Sequence, residues 1–444
     1  MSTGRPRAAR LRHVAADVGP LRQPDFRRLF IGQGVSFVGY QLTAVAVPVQ
    51  MYALTGSSLW VGLIGVAAFV PLVVFGLWGG AVSDAVDRRL LYIGSSCLVW
   101  AVTGALLVQA LLHADSAGLL LALVAVQSVG FALSSPVRGA IVPRLLPREQ
   151  VPAGNTLNFT MSSVGTVIGP LLAGVVLVRW SYAAAYAIDA TLFTVGFYAA
   201  LRLPAIPPLG EAVRPGLRSV VDGLGFIAGK PVLLMSFAVD IAAMVLAMPR
   251  ALFPEAAHTR FHDPGAVGWL FAATAIGAVV GGLASGWIGR VRRQGLTLVA
   301  AVCGWGVAVA LSGLGSVLWV TVALLAVAGA ADLVSAVYRQ TILQTYAPDR
   351  MRGRMQGVFI VVVAGGPRLG DLRAGTSATA FGLTWAWVGG GIACVAVVLV
   401  LAVAQPALVR YRKPTGSNDR PDALGGDVGD GAARNRLDPG PEVA

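Results

Sequence analysis

From residue 28 to residue 408 the chain alternates apolar stretches, each long enough to cross a lipid bilayer, with short polar gaps. A helix crosses the hydrocarbon core in about 20 residues, and no water there can satisfy an unpaired backbone group. Read by that length, the sequence predicts twelve spans, at roughly 28–53, 59–82, 89–112, 117–142, 151–179, 182–203, 231–253, 264–288, 295–314, 317–344, 355–379 and 382–408. Charged residues make up 12% of the chain and hydrophobic residues 56%, where a soluble domain carries about 25% charge. So little charge over so many apolar runs excludes a soluble globular fold.

The net charge of +13 invites a nucleic-acid reading, which its distribution opposes. Arginines mass in alternate connections: Arg5 to Arg28, Arg88 and Arg89, Arg144 and Arg148, and Arg214, Arg218 and Lys230. The series resumes at Arg290, Arg292 and Arg293, then Arg350, Arg352 and Arg354, then Arg410, Arg412 and Lys413. The intervening connections are short and nearly uncharged, except the one after the seventh span. Basic loops mark the cytoplasmic side, so an even number of crossings with both termini in the cytoplasm is expected, in the plasma membrane. The Arg-rich start is not followed by a short apolar region and cleavage site, so the first span is expected to remain.

Five regions follow: a basic cytoplasmic arm at 1–27, a six-helix bundle at 28–203, a cytoplasmic central loop at 204–230, a second six-helix bundle at 231–408, and a tail at 409–444. The loop holds Pro204, Pro207, Pro208 and Pro215, then a stretch from Ser219 to Ile227 that reads as a short amphipathic helix on the membrane surface. The Gly-, Pro- and Asp-rich tail has too little apolar surface to fold. Cys97, Cys303 and Cys394 are far apart, with neither metal nor disulfide spacing, and read as buried small hydrophobes. His258 and His262 stand four apart, but no helical register is assured for a metal pair. Neither metal nor cofactor is expected.

The gap after the second span reads Gly80-Ala81-Val82-Ser83-Asp84-Ala85-Val86-Asp87-Arg88-Arg89, and a fainter copy runs from Gly282 to Arg293 in the equivalent gap of the second half. Two copies at matching places indicate a duplicated six-helix unit, an arrangement typical of transporters. Gly80 allows close helix approach, Asp84 can pair with Arg88 or face a helix end, and Arg88 and Arg89 hold the loop at the anionic inner face. A plain anchoring turn would look the same. In the fifth span, Gly165 and Gly169 share one face and Pro170 removes a backbone donor before Gly174. That face is expected to pack on the symmetry-related helix and seal one side of a cavity. The eleventh span carries Gly365-Gly366-Pro367-Arg368-Leu369-Gly370-Asp371-Leu372-Arg373, the same Gly/Pro device with three charges.

The loop motif, its copy and the Gly-Pro fifth span resemble signatures of the major facilitator superfamily. Val45 to Gln50, Gly223 to Pro231 and Arg352 to Gly357, with the eleventh-span segment, resemble its enterobactin-exporter-like, drug:proton antiporter-3 branch. The resemblance covers roughly residues 20–408. It implies an all-α fold of twelve transmembrane helices in two pseudo-symmetric bundles, alternating access, and export of a siderophore, antibiotic or other drug-like natural product. It also implies that Gly80, Asp84 and Arg88 latch the outward-open state against the eleventh helix. The chain departs from the family where Asp87 replaces a common Gly and Gly286 replaces the second copy's Asp. It also lacks the Arg that often precedes Gly130 in the fourth span of drug antiporters.

Charges inside spans are expensive, about 2.5–3.5 kcal/mol each on insertion scales, and usually face the bundle interior. Asp240 in the seventh span and Asp332 in the tenth are therefore expected to carry protons, with Asp189 in the sixth a weaker case. Asp371 ranks lower, because Arg368 three residues away can pair with it. Arg368 and Arg373 read as contacts for an anionic substrate. Gln33, Gln41, Asn158 and Arg339 are further cavity candidates, although hydrogen bonding between helices explains them equally well. Trp60, Trp180 and Trp319 read as interfacial anchors.

These observations predict a proton-coupled exporter, acting as a monomer in lipid on a small amphipathic molecule, with no nucleic-acid partner. An importer or uniporter of the same fold is the alternative within transport. An integral membrane transferase would need a clustered nucleophile, base or metal, and only four histidines exist.

Overall fold

The computed structural model describes residues 17–85, 87–206, 224–346 and 352–412, with side chains left aside at 76–85, 135, 136, 140, 352–361 and 364. Most of the expected arm, central loop and tail, and the side chains of Gly80 and Asp84, lie outside that set. The described residues are all-helical: α1 Pro24–Thr55, α2 Ser58–Ala85, α3 Arg88–Leu111, α4 Ala117–Leu145, α5 Val151–Arg179 and α6 Tyr182–Leu201 form the first half. The second half comprises α7 Pro231–Leu246, α8 Ala266–Leu283, α9 Gln294–Leu314, α10 Leu318–Tyr346, α11 Arg352–Phe381 and α12 Leu383–Ala404. Eleven stretches are long and apolar enough to span a membrane, and α11 falls short of that measure. Arg368, Asp371 and Arg373 in its middle dilute its hydrophobicity.

Large apolar side chains face outward along the spans, including Val74, Val178, Leu314 and Val403. In water such a belt would drive association; around a multi-pass protein it is the lipid contact surface. Trp60, Trp180 and Trp319 stand exposed at helix ends. Cys394 is buried as expected, but Cys97 is exposed on that belt and Cys303 is intermediate. Lipid tolerates an outward thiol as readily as a core does.

Three boundaries differ from the sequence reading. The eighth span stops at Leu283 and continues as a 3-10 turn, Ser285–Arg290, where two glycines weaken the helix. The twelfth stops at Ala404, just before Pro406. The seventh is broken. After Leu246 the chain leaves the helix at Met248-Pro249, makes a 3-10 turn at Arg250–Leu252, and re-forms a short helix at Phe253–Thr259. Pro249 disfavours helix at the residue before it, and Pro254 suits the first turn of the next helix. Of the expected surface helix, 224–228 is helical and the part before it lies outside the described residues.

Asp87, the departure from the family motif, has a structural task. Its carboxylate accepts from the Arg89 amide at 2.8 Å, capping α3, and from the Ile206 amide at 3.3 Å. Arg89 in turn donates to the Leu201 carbonyl at 3.0 Å. The loop is thereby tied to the end of α6.

Candidate substrate cavity and buried charges

The two halves meet along two seams made by glycines. A Cβ on Gly62 or Gly65 of α2 would lie 2.6 or 2.7 Å from the Asp371 or Arg368 carbonyl of α11, and one on Gly375 would meet the Ser58 carbonyl. On the other seam Gly174 of α5 faces Gly268 of α8, and a Cβ on Gly174 would lie 3.0 Å from the Gly268 Cα. Gly268 in turn approaches the Pro170 carbonyl. The fifth-span face is thus divided. Gly165 packs on Phe37 and Gly169 on Gln41 of α1, within the first half, and of these four only Pro170 and Gly174 reach the second half, at α8 and not at the symmetry-related α11. All these cross-contacts lie toward the end that carries the 56–57 and 180–181 connections. There the Ser58 hydroxyl also bonds Glu255, and the Tyr52 and His258 rings stand 6.2 Å apart.

Beneath this closure lies a cavity of about 340 Å³ between the halves. Tyr40, Thr43 and Phe131 line it from the first half, and Arg250, Arg368 and Asp371 from the second. The break in the seventh span builds this wall. It leaves the Val245 and Leu246 carbonyls without helical partners, and membrane interiors do not forgive that. Arg373 supplies the bonds: its guanidinium donates to Val245 at 3.2 Å, to Ala386 at 2.9 Å and to Leu246. Arg373 is therefore engaged with backbone rather than lining the cavity. The break also turns Arg250 into the cavity, over the Phe271 ring at 5.7 Å, and presents the Ala251 amide to the Asp371 carboxylate. Arg250, Arg368 and Arg373 all act on Asp371, so the expected Arg368–Asp371 pair belongs to a larger cluster. Nothing in local sequence marked Arg250, which follows a proline outside any charge pattern.

A second cluster joins α7 and α10. Asp240, 2% exposed, forms an ion pair with Arg339, whose other nitrogen lies 3.8 Å from the Asp332 carboxylate. The sequence reading placed Asp240 and Asp332 as separate proton carriers and Arg339 toward substrate. The structure gathers all three, with Asp332 the most open at 38%. Arg339 is 5% exposed, a member of the pair rather than of the cavity wall.

The remaining candidates scatter. Gln33 donates to Tyr92 at 3.3 Å and lines a smaller chamber. Gln41 lies under Gly169, and the Asn158 side-chain carbonyl has no partner among the described residues. In the first half Gln50 gathers Gln109 and the Tyr186 hydroxyl, the latter donating at 2.7 Å, and ties α1, α3 and α6 together.

Twelve spanning helices in two related halves around a shared cavity define a major facilitator transporter. Within that superfamily the chain belongs to the transmembrane secretion effector family, whose pattern matches residues 15–418. It is 30% identical over 409 residues to the enterobactin exporter EntS of Citrobacter koseri, covering 88% of this chain and 94% of the relative. The fold is shared with the nucleoside transporter NupG, at a TM-score of 0.70 and 14% identity over 87% of this chain and 100% of that one. A bacterial homologue of the iron transporter ferroportin superposes with a TM-score of 0.65 at 14% identity, over 87% of this chain and 98% of that one. At such identities the two structures speak for the fold alone.

Proposed function

We propose that this protein exports a small amphipathic organic anion across the plasma membrane, by alternating access coupled to proton entry. The observation that carries the reading is the cavity's charge: Arg250 and Arg368 against the single carboxylate of Asp371, beside the aromatic faces of Tyr40, Phe131 and Phe271. A low-dielectric cleft with excess positive charge concentrates anions, and the rings suit a flat apolar body. With both termini cytoplasmic, as the arginine alternation supports, the sealed glycine seams lie on the outer side and the cavity belongs to an inward-facing form. A siderophore or antibiotic fits this chemistry, and the name of the relatives makes enterobactin the first compound to try. The protein acts as a monomer and needs no nucleic acid.

In this reading Asp332 and Asp371 exchange protons, while Asp240 holds Arg339. Gly80, Asp84, Arg88 and Arg89 form the inner latch against α11 in the outward-open form, and the bonds tying the loop to α6 support its moving with the first half. Gly165, Gly169, Pro170 and Gly174 keep α5 close to α1 and α8. Gln33, Gln41 and Asn158 serve packing more than substrate.

Purified protein in liposomes tests this. An outward proton gradient of one unit, with the lumen acidic, is expected to drive accumulation of an anionic amphiphile in the lumen about tenfold per proton exchanged. Arg250→Gln with Arg368→Gln should cut anion transport at least tenfold and spare an uncharged analogue. Equilibration without concentration would establish a uniporter instead, and equal loss for both compounds would refute the charge reading.

A further inference from the structure

A second, water-sized chamber of about 50 Å³ lies inside the first half, lined by Gln33, Ser36, Tyr92, Ser95, Ser134 and Arg138 among others. Tyr40 and Phe131 line both this chamber and the central cavity, and their rings meet edge to face with centroids 4.5 Å apart. The aromatic pair thus divides one space from the other. Beside that division sits a carboxyl group that the cavity argument does not use.

Asp189 of α6 is 1% exposed and faces Gly39 and Thr43 of α1. Thr43 lines the central cavity, while Ser36 of α1 and Phe193 of α6 line the chamber. Ser36 and Thr43 are about 10 Å apart along their helix at 1.5 Å per residue, and Asp189 lies beside the turn between them. Gly39 makes this possible: a Cβ there would stand 2.6 Å from the Asp189 carboxylate.

The Thr43 hydroxyl donates to Oδ2 at 2.6 Å, and Oδ1 has no hydrogen-bond partner among the described residues. Nor does Asp189 form an ion pair among them. Among the described residues no cation contacts it: α1 presents Gly39 and Thr43, α3 sends the Trp100 indole to the Ala190 carbonyl, and α6 itself places Tyr186 one turn away. Arg138 of α4 and Tyr92 of α3 face the chamber. An isolated buried carboxylate is costly and escapes the cost by taking up a proton. Asp240 in the second half has Arg339 and no such need.

We propose that Asp189 is the proton-binding post of the first half, loaded on Oδ1 from one space and unloaded to the other as the halves rock. Thr43 keeps its bond to Oδ2 throughout. The inference rests on the antiport reading above and adds a site in the opposite half.

Proteoliposomes and infrared difference spectra test it. Asp189→Asn should lose gradient-driven transport at least tenfold, retain substrate counterflow within twofold, and lack one pH-dependent carboxyl band seen in the wild type. Gradient-driven transport within twofold of wild type with an unchanged carboxyl spectrum would overturn the assignment and leave antiport standing. A wild type indifferent to the gradient would defeat antiport and this post together. Should Asp189→Asn not fold, Thr43→Val serves. Its pH for half-maximal transport is expected to move by half a unit or more, and an unmoved profile would count against the post.

Discussion

Arg339 shares one guanidinium between two acids, and the sharing is unequal. Asp240 is in direct contact and sealed from solvent, while Asp332 stands 3.8 Å away and is more open. Removing one partner of a buried pair strands the other charge, a loss of about 3–5 kcal/mol. Asp240→Asn is therefore expected to lower thermal stability in detergent strongly. Asp240→Asn combined with Arg339→Gln should recover much of it, because the double variant leaves no uncompensated charge. Additive losses in that cycle would mean the two residues stabilise the protein separately. The sequence exposed each of these charges as anomalous for a membrane span, but not their pairing. Asp240 and Arg339 lie about a hundred positions apart, and only the packing of α7 against α10 brings them together. Asp189 was readable in the same way as an odd charge; its lack of a cation was not.

Among the elements, the broken seventh span shows how local chemistry becomes a site. The prolines at 249 and 254 stop and restart the helix, and the resulting gap aims Arg250 at the cavity. Arg373 makes the gap tolerable by bonding three carbonyls from α7 and α12. Arg373→Ala should cost roughly 2–4 kcal/mol of stability, given what bonds to charged groups contribute. Arg373→Lys should recover only part, since a point charge cannot reach three carbonyls in a planar fork. Melting temperatures in detergent check both. Full recovery by lysine would indicate that charge, not geometry, holds the break.

At the scale of the molecule, two glycine seams set which end is shut. Along α2 and α11 the backbones approach so closely that any side chain at Gly62 must push them apart. Gly62→Val should therefore disfavour the closed seam and shift the population toward the opposite opening. Spin labels at Ser57→Cys and Thr376→Cys would report a longer mean distance, with substrate access from the terminal side reduced. An unchanged distance would show that the seam is not what determines the state. The two halves are alike in plan but not in chemistry: the first holds a lone acid and an amide–tyrosine cluster, the second an ion-pair network.

The helical spans and the presence of charges within them were legible from sequence, because lipid imposes length and internal backbone bonding on every segment independently. Those constraints act within about twenty residues and need no knowledge of neighbours. The break in the seventh span had its proline signal, but an apolar run hid it. What required tertiary structure was partnership: that Gly165 and Gly169 serve α1 while Gly174 serves α8, that Arg373 caps a helix, and that Arg250 and Arg368 face one space. Contacts of this kind join positions far apart in the chain, and short-range pattern carries no information about which helix will stand opposite.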